Sequence, residues 1–374
     1  MPLRAIARVN LAAVERNVGR LRAGLRGDAL CAVVKAGGYG HGAVPVARAA
    51  LAGGARWLAV ATAEEAAELR AAGIDAPLIV IGAISADELP VALAARADLV
   101  AWSDQFVTDL LRADRHGRQV RVHVKFDTGM GRLGTRELDE ASAIAARVRA
   151  SAPALTLAGA MTHFATADDD PDFLVEQLQR FEPFAERLRA IQPGLIVHAA
   201  NSAAALRQPS SHFDLVRCGI AIYGCDPMNE DPSRHGLEPA LALCSYVAAV
   251  KRARPGDSVG YGRRFIADRE TWIATLPIGY GDGVRRALTN NCDVLVCGRR
   301  YPLVGTVSMD NITIDLGIET SVRHGDLATL IGRDGTERQT AEDIAHRLGT
   351  LNYEVVCGIS SRVPRVYHRD GAPV

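Results

Sequence analysis

The feature that most constrains this chain is a rhythm: between residues 29 and 224, eight short apolar runs rich in β-branched residues alternate with helix-forming stretches. The runs are ALCAVVKA (29–36), WLAVAT (57–62), PLIVIG (77–82), ADLVAWS (97–103), VRVHVKFD (120–127), LTLAGAMTHF (155–164), LIVHAAN (195–201) and FDLVRCGIAIYG (213–224). Between them lie segments such as AEEAAELRAAG and FLVEQLQRFEPFAERLRAI, whose Ala, Leu, Glu and Arg content suits helices. A strand that returns parallel to its predecessor needs a crossover helix, and repeated units roll into a closed cylinder or spread into an open sheet. Eight units in about 200 residues predict an α/β fold of the (β/α)8, TIM-like barrel class, with a doubly wound sheet as the alternative.

The rhythm stops near Gly236, and strand-like pieces take over: CSYVAAV, TWIATLPI, DVLVCG, YPLVGTV, NITIDLG and LATLIG. One clear helix interrupts them, TAEDIAHRLG, with Thr340 as its N-cap and Gly349 as its stop. The expected organisation is a barrel domain over 1–236 and a mostly β C-terminal domain over 237–374.

Composition narrows the function classes. The formal net charge is zero, which gives no electrostatic footprint for nucleic acid. The longest apolar stretch, PALALCSYVAAV at 239–250, is shorter than the ~20 residues that a membrane helix needs, and the N-terminal segment carries no secretory pattern. A cytoplasmic protein is expected. Seven cysteines without a CxxC spacing read as small apolar residues of a reducing compartment, and no His/Cys cluster points to a metal.

In a (β/α)8 barrel the chemistry sits on the loops after the strands. Lys35, Lys125, His163, Asn201 with Ser202, and Arg217 all fall at the ends of different runs, so five strands aim polar groups at one mouth. Lysine is rare: of 43 basic residues only Lys35, Lys125 and Lys251 are lysine. Arginine stays protonated, whereas a buried lysine shifts its pKa readily and serves as a nucleophilic amine. Lys35 precedes Gly37, Gly38, Gly40 and Gly42, a density that lets backbone approach a bound group; a phosphate cradle is one reading and an ordinary tight turn the other. Alternation along VRVHVKFD turns Lys125 into the barrel, where it must be paired, neutralised or modified; a salt bridge to Asp127 or to a neighbouring strand is the simplest choice. Lys251 reads as a solvated strand end. His163 closes an apolar run and reads as either a site residue or a satisfied core histidine, while His116, His235 and His368 lie in polar stretches and read as exposed.

The motifs AVVKAGGYGHG, KFDTGMGRLG (125–134), MTHFATAD (161–168), AANSAA (199–204), VRCGIAIYG (216–224), VGYGRRF (259–265), PIGYGDG (277–283), VSMDN (307–311) and NYEVVCGIS (352–360) occur in an order that resembles the pyridoxal-phosphate (PLP) alanine racemases over nearly the whole chain. The resemblance implies that Lys35 tethers PLP covalently, that Tyr39, Ser202, Gly219, Ile220 and Tyr353 hold its phosphate, and that His163, Asn201 and Arg217 line the cofactor. Arg217 would face the pyridine nitrogen and keep it unprotonated. Lys35 and Tyr261 would be the two bases on opposite faces of the substrate, with Tyr261, Met309 and Asp310 entering from the partner of a homodimer. Arg132, Tyr280, Met309 and Asp310 would contact substrate, and Lys125 would be carbamylated to hold Arg132. The implied activity interconverts L- and D-alanine and supplies D-alanine for peptidoglycan; a serine or broad-specificity racemase, a PLP decarboxylase and a non-catalytic PLP carrier are the alternatives. The chain departs from the family pattern at Gly37, Gly38, Thr306, where arginine is common, and Ser361, where tyrosine is frequent.

Overall fold

The computed structural model describes residues 4–26, 29–115 and 117–374, so His116 lies outside the described residues. Two compact units emerge: Val14–Ile222, and Met1–Ala13 together with Tyr223–Val374.

The first unit is the expected (β/α)8 barrel. Counting from an N-terminal strand β1 (Ala5–Asn10), its strands are β2 (Ala29–Val33), β3 (Trp57–Val60), β4 (Leu78–Val80), β5 (Asp98–Ala101), β6 (Val120–Lys125), β7 (Leu155–Met161), β8 (Ile196–His198) and β9 (Leu215–Cys218). They pair in parallel in the order β9-β2-β3-β4-β5-β6-β7-β8. The Asp214 N–H donates to the Val197 carbonyl and the Arg217 N–H to that of Ala200, both at 3.0 Å, which closes the ring between β8 and β9. Each strand stops a few residues short of its sequence run, and the surplus forms the loops of the mouth. Helices start where side chains satisfy their free N–H groups: Thr62 and Glu65 form a reciprocal cap on Ala63–Ala71, and Ser103 and Asp170 cap Asp104–Arg112 and Pro171–Ile191.

The second unit, residues 223 onward, also includes β1, and no local signal in the sequence pointed to detaching that strand from the barrel. The alternating burial of AIARVN suits a sheet with one wet face, and β1 pairs antiparallel with Leu241–Tyr246 and parallel with Arg365–Arg369. These partners are more than 200 residues away, beyond any local signal. A three-stranded sheet (Ala249–Ala253, Thr271–Leu276, Ile312–Gly317) and a two-stranded ribbon (Ser258–Val259, Phe265–Ile266) complete the β structure of this unit. Of YPLVGTV only the start lies in a strand, Arg299–Pro302, and the rest is loop. The expected helix forms as Ala341–Leu348, capped by Thr340 and ended by Gly349 at φ 66°. A second, Asn352–Cys357, was not anticipated. Lys251 is exposed, whereas His235 and His368 are half-buried. All seven cysteines are free thiols. No helix among the described residues is long and apolar enough to cross a membrane.

Candidate active site

Lys35 leaves the end of β2 on an unusual turn. Ala36, Gly37, Gly38, Tyr39 and Gly40 all have positive φ, between 50° and 77°, and wind one left-handed turn. An L-residue pays about 1–2 kcal/mol for that conformation and glycine does not, so the glycine density serves the turn. Gly37 and Gly38, departures from the family pattern, sit where glycine costs least. The turn closes through Gly38 N–H to Val34 O at 2.9 Å and Gly40 N–H to Ala36 O at 3.0 Å. Glu65 pins it: one carboxylate oxygen accepts from Ala36 N–H at 2.6 Å and the other from Ala61 N–H at 2.7 Å. Glu65 had not been singled out in the sequence.

The same turn aims the buried Tyr39 at β9. A Cβ on Gly219 would lie 2.4 Å from the Tyr39 hydroxyl oxygen, so only glycine fits there. Ser202 Oγ accepts from Gly219 N–H at 2.9 Å. Tyr39, Ser202 and Gly219 thus meet beside Ile220, which opens a short buried 3-10 turn, at the loops after the seventh and eighth barrel strands. Phosphate groups bind there in barrels of this class. Asn201 caps the helix Ser202–Arg207, its Oδ1 accepting from Ala204 N–H at 3.0 Å.

Arg217 is anchored at both terminal nitrogens. Its Nη2 donates to the carbonyls of Thr162 at 2.8 Å and Ala199 at 2.9 Å and to His163 Nδ1 at 3.2 Å; Nη1 donates to His198 Nδ1 at 2.8 Å. A guanidinium only donates, so both histidines accept at Nδ1 and carry their protons on Nε2. From His198 Nε2 that proton reaches His123 Nδ1 at 2.8 Å, and His123 Nε2–H in turn reaches Asp98 at 3.1 Å, where Arg121 also binds. The result is a single directed chain, Arg217–His198–His123–Asp98. Burial, then Arg217 and His123, hold His198 well below the usual imidazole range, and burial lowers His123 too, as neutral tautomers require. Gly159 makes the room, since a Cβ there would sit 2.0 Å from His123 Nδ1. Sequence inspection had singled out none of His123, His198, Asp98 or Gly159; two histidines facing inward on separate strands were the only signal.

His163 is half-buried and held well below the imidazole range by burial and then by the charges of Arg217, Lys125, Arg132 and Lys35. Buried Gln177 steadies its loop, accepting from Ala165 N–H at 2.8 Å and donating to the His163 carbonyl at 3.4 Å. Burial lowers Arg217 to about 10, which leaves it protonated at neutral pH. Lys125 is buried, and no carboxylate among the described residues comes within 4.0 Å of its amine. The expected partner, Asp127, is taken by the N–H groups of Gly129 and Gly131 and by Arg136, so the salt-bridge reading fails. Burial, with Arg132 and Arg217, lowers the Lys125 amine to about 8. Arg132 is exposed.

The two barrel sites test the fit of PLP. Arg217 Nε is buried without a hydrogen-bond partner among the described residues. An orphaned buried donor costs about 1–3 kcal/mol, and an unprotonated pyridine nitrogen would satisfy it. The Tyr39 and Ser202 hydroxyls, gathered at Gly219, would suit a phosphate there. These residues fit the cofactor.

The remaining candidates belong to the second unit. Tyr261 lies on the tip of the Ser258–Ile266 ribbon and is 75% exposed. Tyr280 and Met309, also exposed, are stitched together: Tyr280 N–H donates to Ser308 O and Gly281 N–H to Met309 O, both at 2.9 Å. Gly279 permits this approach, because a Cβ there would lie 2.3 Å from Ser308 O. Arg362 fastens Asp310 at 2.6 Å. Tyr353 rides on the helix Asn352–Cys357, whose first residue is buried and bonded to Asp226 O at 2.7 Å and to Glu342 at 2.8 Å. Ser361 is exposed.

Comparison with known proteins shows the family. Residues 9–227 match the family described as alanine racemase, N-terminal domain, and residues 240–367 match alanine racemase, C-terminal domain. The alanine racemase of Thermobifida fusca is 45% identical over 97% of this chain and 98% of its own length. The crystal structure of alanine racemase from D-cycloserine-producing Streptomyces lavendulae superposes with a TM-score of 0.93 at 39% identity, covering 98% of each chain. The Bacillus anthracis alanine racemase with bound L-Ala-P gives a TM-score of 0.92 at 39% identity, covering 100% of this chain and 97% of that one. With both domains matched and relatives this similar over nearly the full length, the chain belongs to the alanine racemase family.

Proposed function

We propose that this chain is a PLP-dependent racemase of alanine, working in the cytoplasm as a homodimer, in which Lys35 and Tyr261 move protons on opposite faces of the substrate α-carbon. The observation that carries the reading is Arg217: fixed at both ends, protonated, with a buried Nε in need of an acceptor and a neutral His163 at its side. PLP, when bound, supplies the electron sink that lets an α-proton leave. Arg217, which keeps its own proton, would donate to the ring nitrogen without protonating it and so would leave the sink weak.

Inversion at the α-carbon needs one group to take a proton and another to return one from the opposite side. Lys35 would hold PLP covalently and, once released as an amine, would serve one face. Tyr261 serves the other, and its phenol, ordinarily near pKa ~10, needs support as an anion. His163 is set up to give it: with Nδ1 accepting from Arg217, its Nε2–H is free to donate to a phenolate. Exposed Tyr261, Met309 and Asp310 suit residues that enter the site of a second copy. Lys125, with an amine near 8 and no carboxylate at hand, reacts with carbon dioxide to form a carbamate, releasing one proton and becoming an anion that holds Arg132 for the substrate carboxylate.

The test is incubation of the purified holoenzyme with L-alanine and, separately, L-serine. Optical rotation of the alanine solution should decay to zero, with serine slower; unchanged rotation with PLP bound contradicts the proposal, and faster serine turnover overturns the substrate assignment.

A further inference from the structure

Tyr261 stands on a support too small to hold it. The ribbon beneath it pairs through only two registers, Ser258 with Ile266 and Val259 with Phe265. Two-stranded hairpins are marginal even when longer. Between the strands Gly260, Gly262 and Arg263 have φ of 74°, 70° and 51°, a path with little intrinsic preference to keep its shape. Within its own chain, packing does not fix Tyr261 either, since three-quarters of its surface is exposed there.

The neighbouring segment 305–307 supplies what the ribbon lacks. Thr306 is buried, and its hydroxyl donates to the Tyr261 carbonyl at 2.6 Å. Asn290 braces both sides: its Oδ1 accepts from Gly305 N–H at 2.6 Å and its Nδ2 donates to the Arg264 carbonyl at 3.0 Å. Thr289 adds a third tie, accepting from Val307 N–H at 3.1 Å while donating to Arg286 O at 2.7 Å. The approach is tight enough to demand glycines, as a Cβ on Gly305 would lie 2.8 Å from Val259 O and one on Gly260 would lie 3.1 Å from Thr306 N. Arginine, which is common in the family at this position, lacks the short hydroxyl that makes this bond.

We propose that Thr306, braced by Asn290, is the positioning residue for Tyr261, holding the backbone from which the phenol reaches the substrate. The inference rests on the reading of Tyr261 as a proton-transfer group. Misplacement of a reacting group by about 1 Å can cost up to about a hundredfold in rate, so a flexible tip is expensive.

Three variants of the holoenzyme test it: Thr306→Val, which keeps the shape and loses the donor, Thr306→Ser, which keeps the donor, and Tyr261→Phe. For Thr306→Val we expect kcat to fall about tenfold with KM little changed, since a misplaced Tyr261 phenol weakens proton transfer and leaves substrate binding alone. The α-deuterium isotope effect should rise for one enantiomer and not the other, and backbone hydrogen exchange over 259–266 should accelerate. Thr306→Ser should recover most of the rate. A wild-type rate in Thr306→Val, an equal loss in Thr306→Ser, or a loss with both isotope effects unchanged would overturn the clamp. If Tyr261→Phe is impaired while Thr306→Val is not, the clamp alone fails; if Tyr261→Phe is fully active, the base assignment fails and the clamp falls with it.

Discussion

Replacing Lys35 with alanine is expected to lower kcat/KM for alanine by at least ~10⁴-fold, because one side chain supplies both the covalent tether and one of the two proton-transfer groups. Fold and stability should change little: the side chain is half-buried, and the turn that carries it is held by backbone bonds and by Glu65. Lys251→Ala is the matched control. It removes an exposed lysine from the strand Ala249–Ala253, and its rate should equal that of the parent enzyme. Added methylamine should restore part of the Lys35→Ala activity by acting as an external base. Lys35→Ala that turns over within tenfold of the parent enzyme would deny the amine its role.

Tyr261→Phe is expected to lower racemisation by about 10²–10⁴-fold, the usual contribution of one general acid or base. The more specific expectation concerns exchange. With Tyr261 disabled, Lys35 still reaches its own face of the α-carbon, so in deuterated water one enantiomer should exchange its α-proton with solvent faster than it inverts. The other enantiomer should be nearly inert in both respects. Equal exchange and inversion from both sides would remove Tyr261 from the mechanism.

Much of the fold was legible because the barrel repeats one local unit. Each βα pair carries its own signals, β-branched runs and capped helices, and eight copies leave few ways to close a sheet. The assignment of β1 was not legible, since its partners are remote and a six-residue alternating strand fits any half-wet sheet. The helix Asn352–Cys357 is too short for a period to show, and it depends on buried Asn352 finding Asp226 and Glu342. At the site, Lys35, Lys125 and Arg217 could be picked out by residue type at strand ends. The glycines after Lys35 were ambiguous because a left-handed turn and an anion cradle require the same residue. The chain from Arg217 to Asp98 was hidden for another reason. Its members come from β5, β6, β8 and β9, and only closure of the barrel puts them in line. Lys125 shows the opposite error, in which a neighbour in sequence, Asp127, proved to be committed to the following loop.

The identity of the amine at position 35 is the claim that supports the rest, and borohydride reduction of the enzyme as purified, followed by tryptic peptide mapping, tests it most directly. Cleavage after Arg26 and Arg48, with none at a modified Lys35, predicts one labelled peptide spanning residues 27–48. Label on the peptides containing Lys125 or Lys251, or no label at all, would contradict the account.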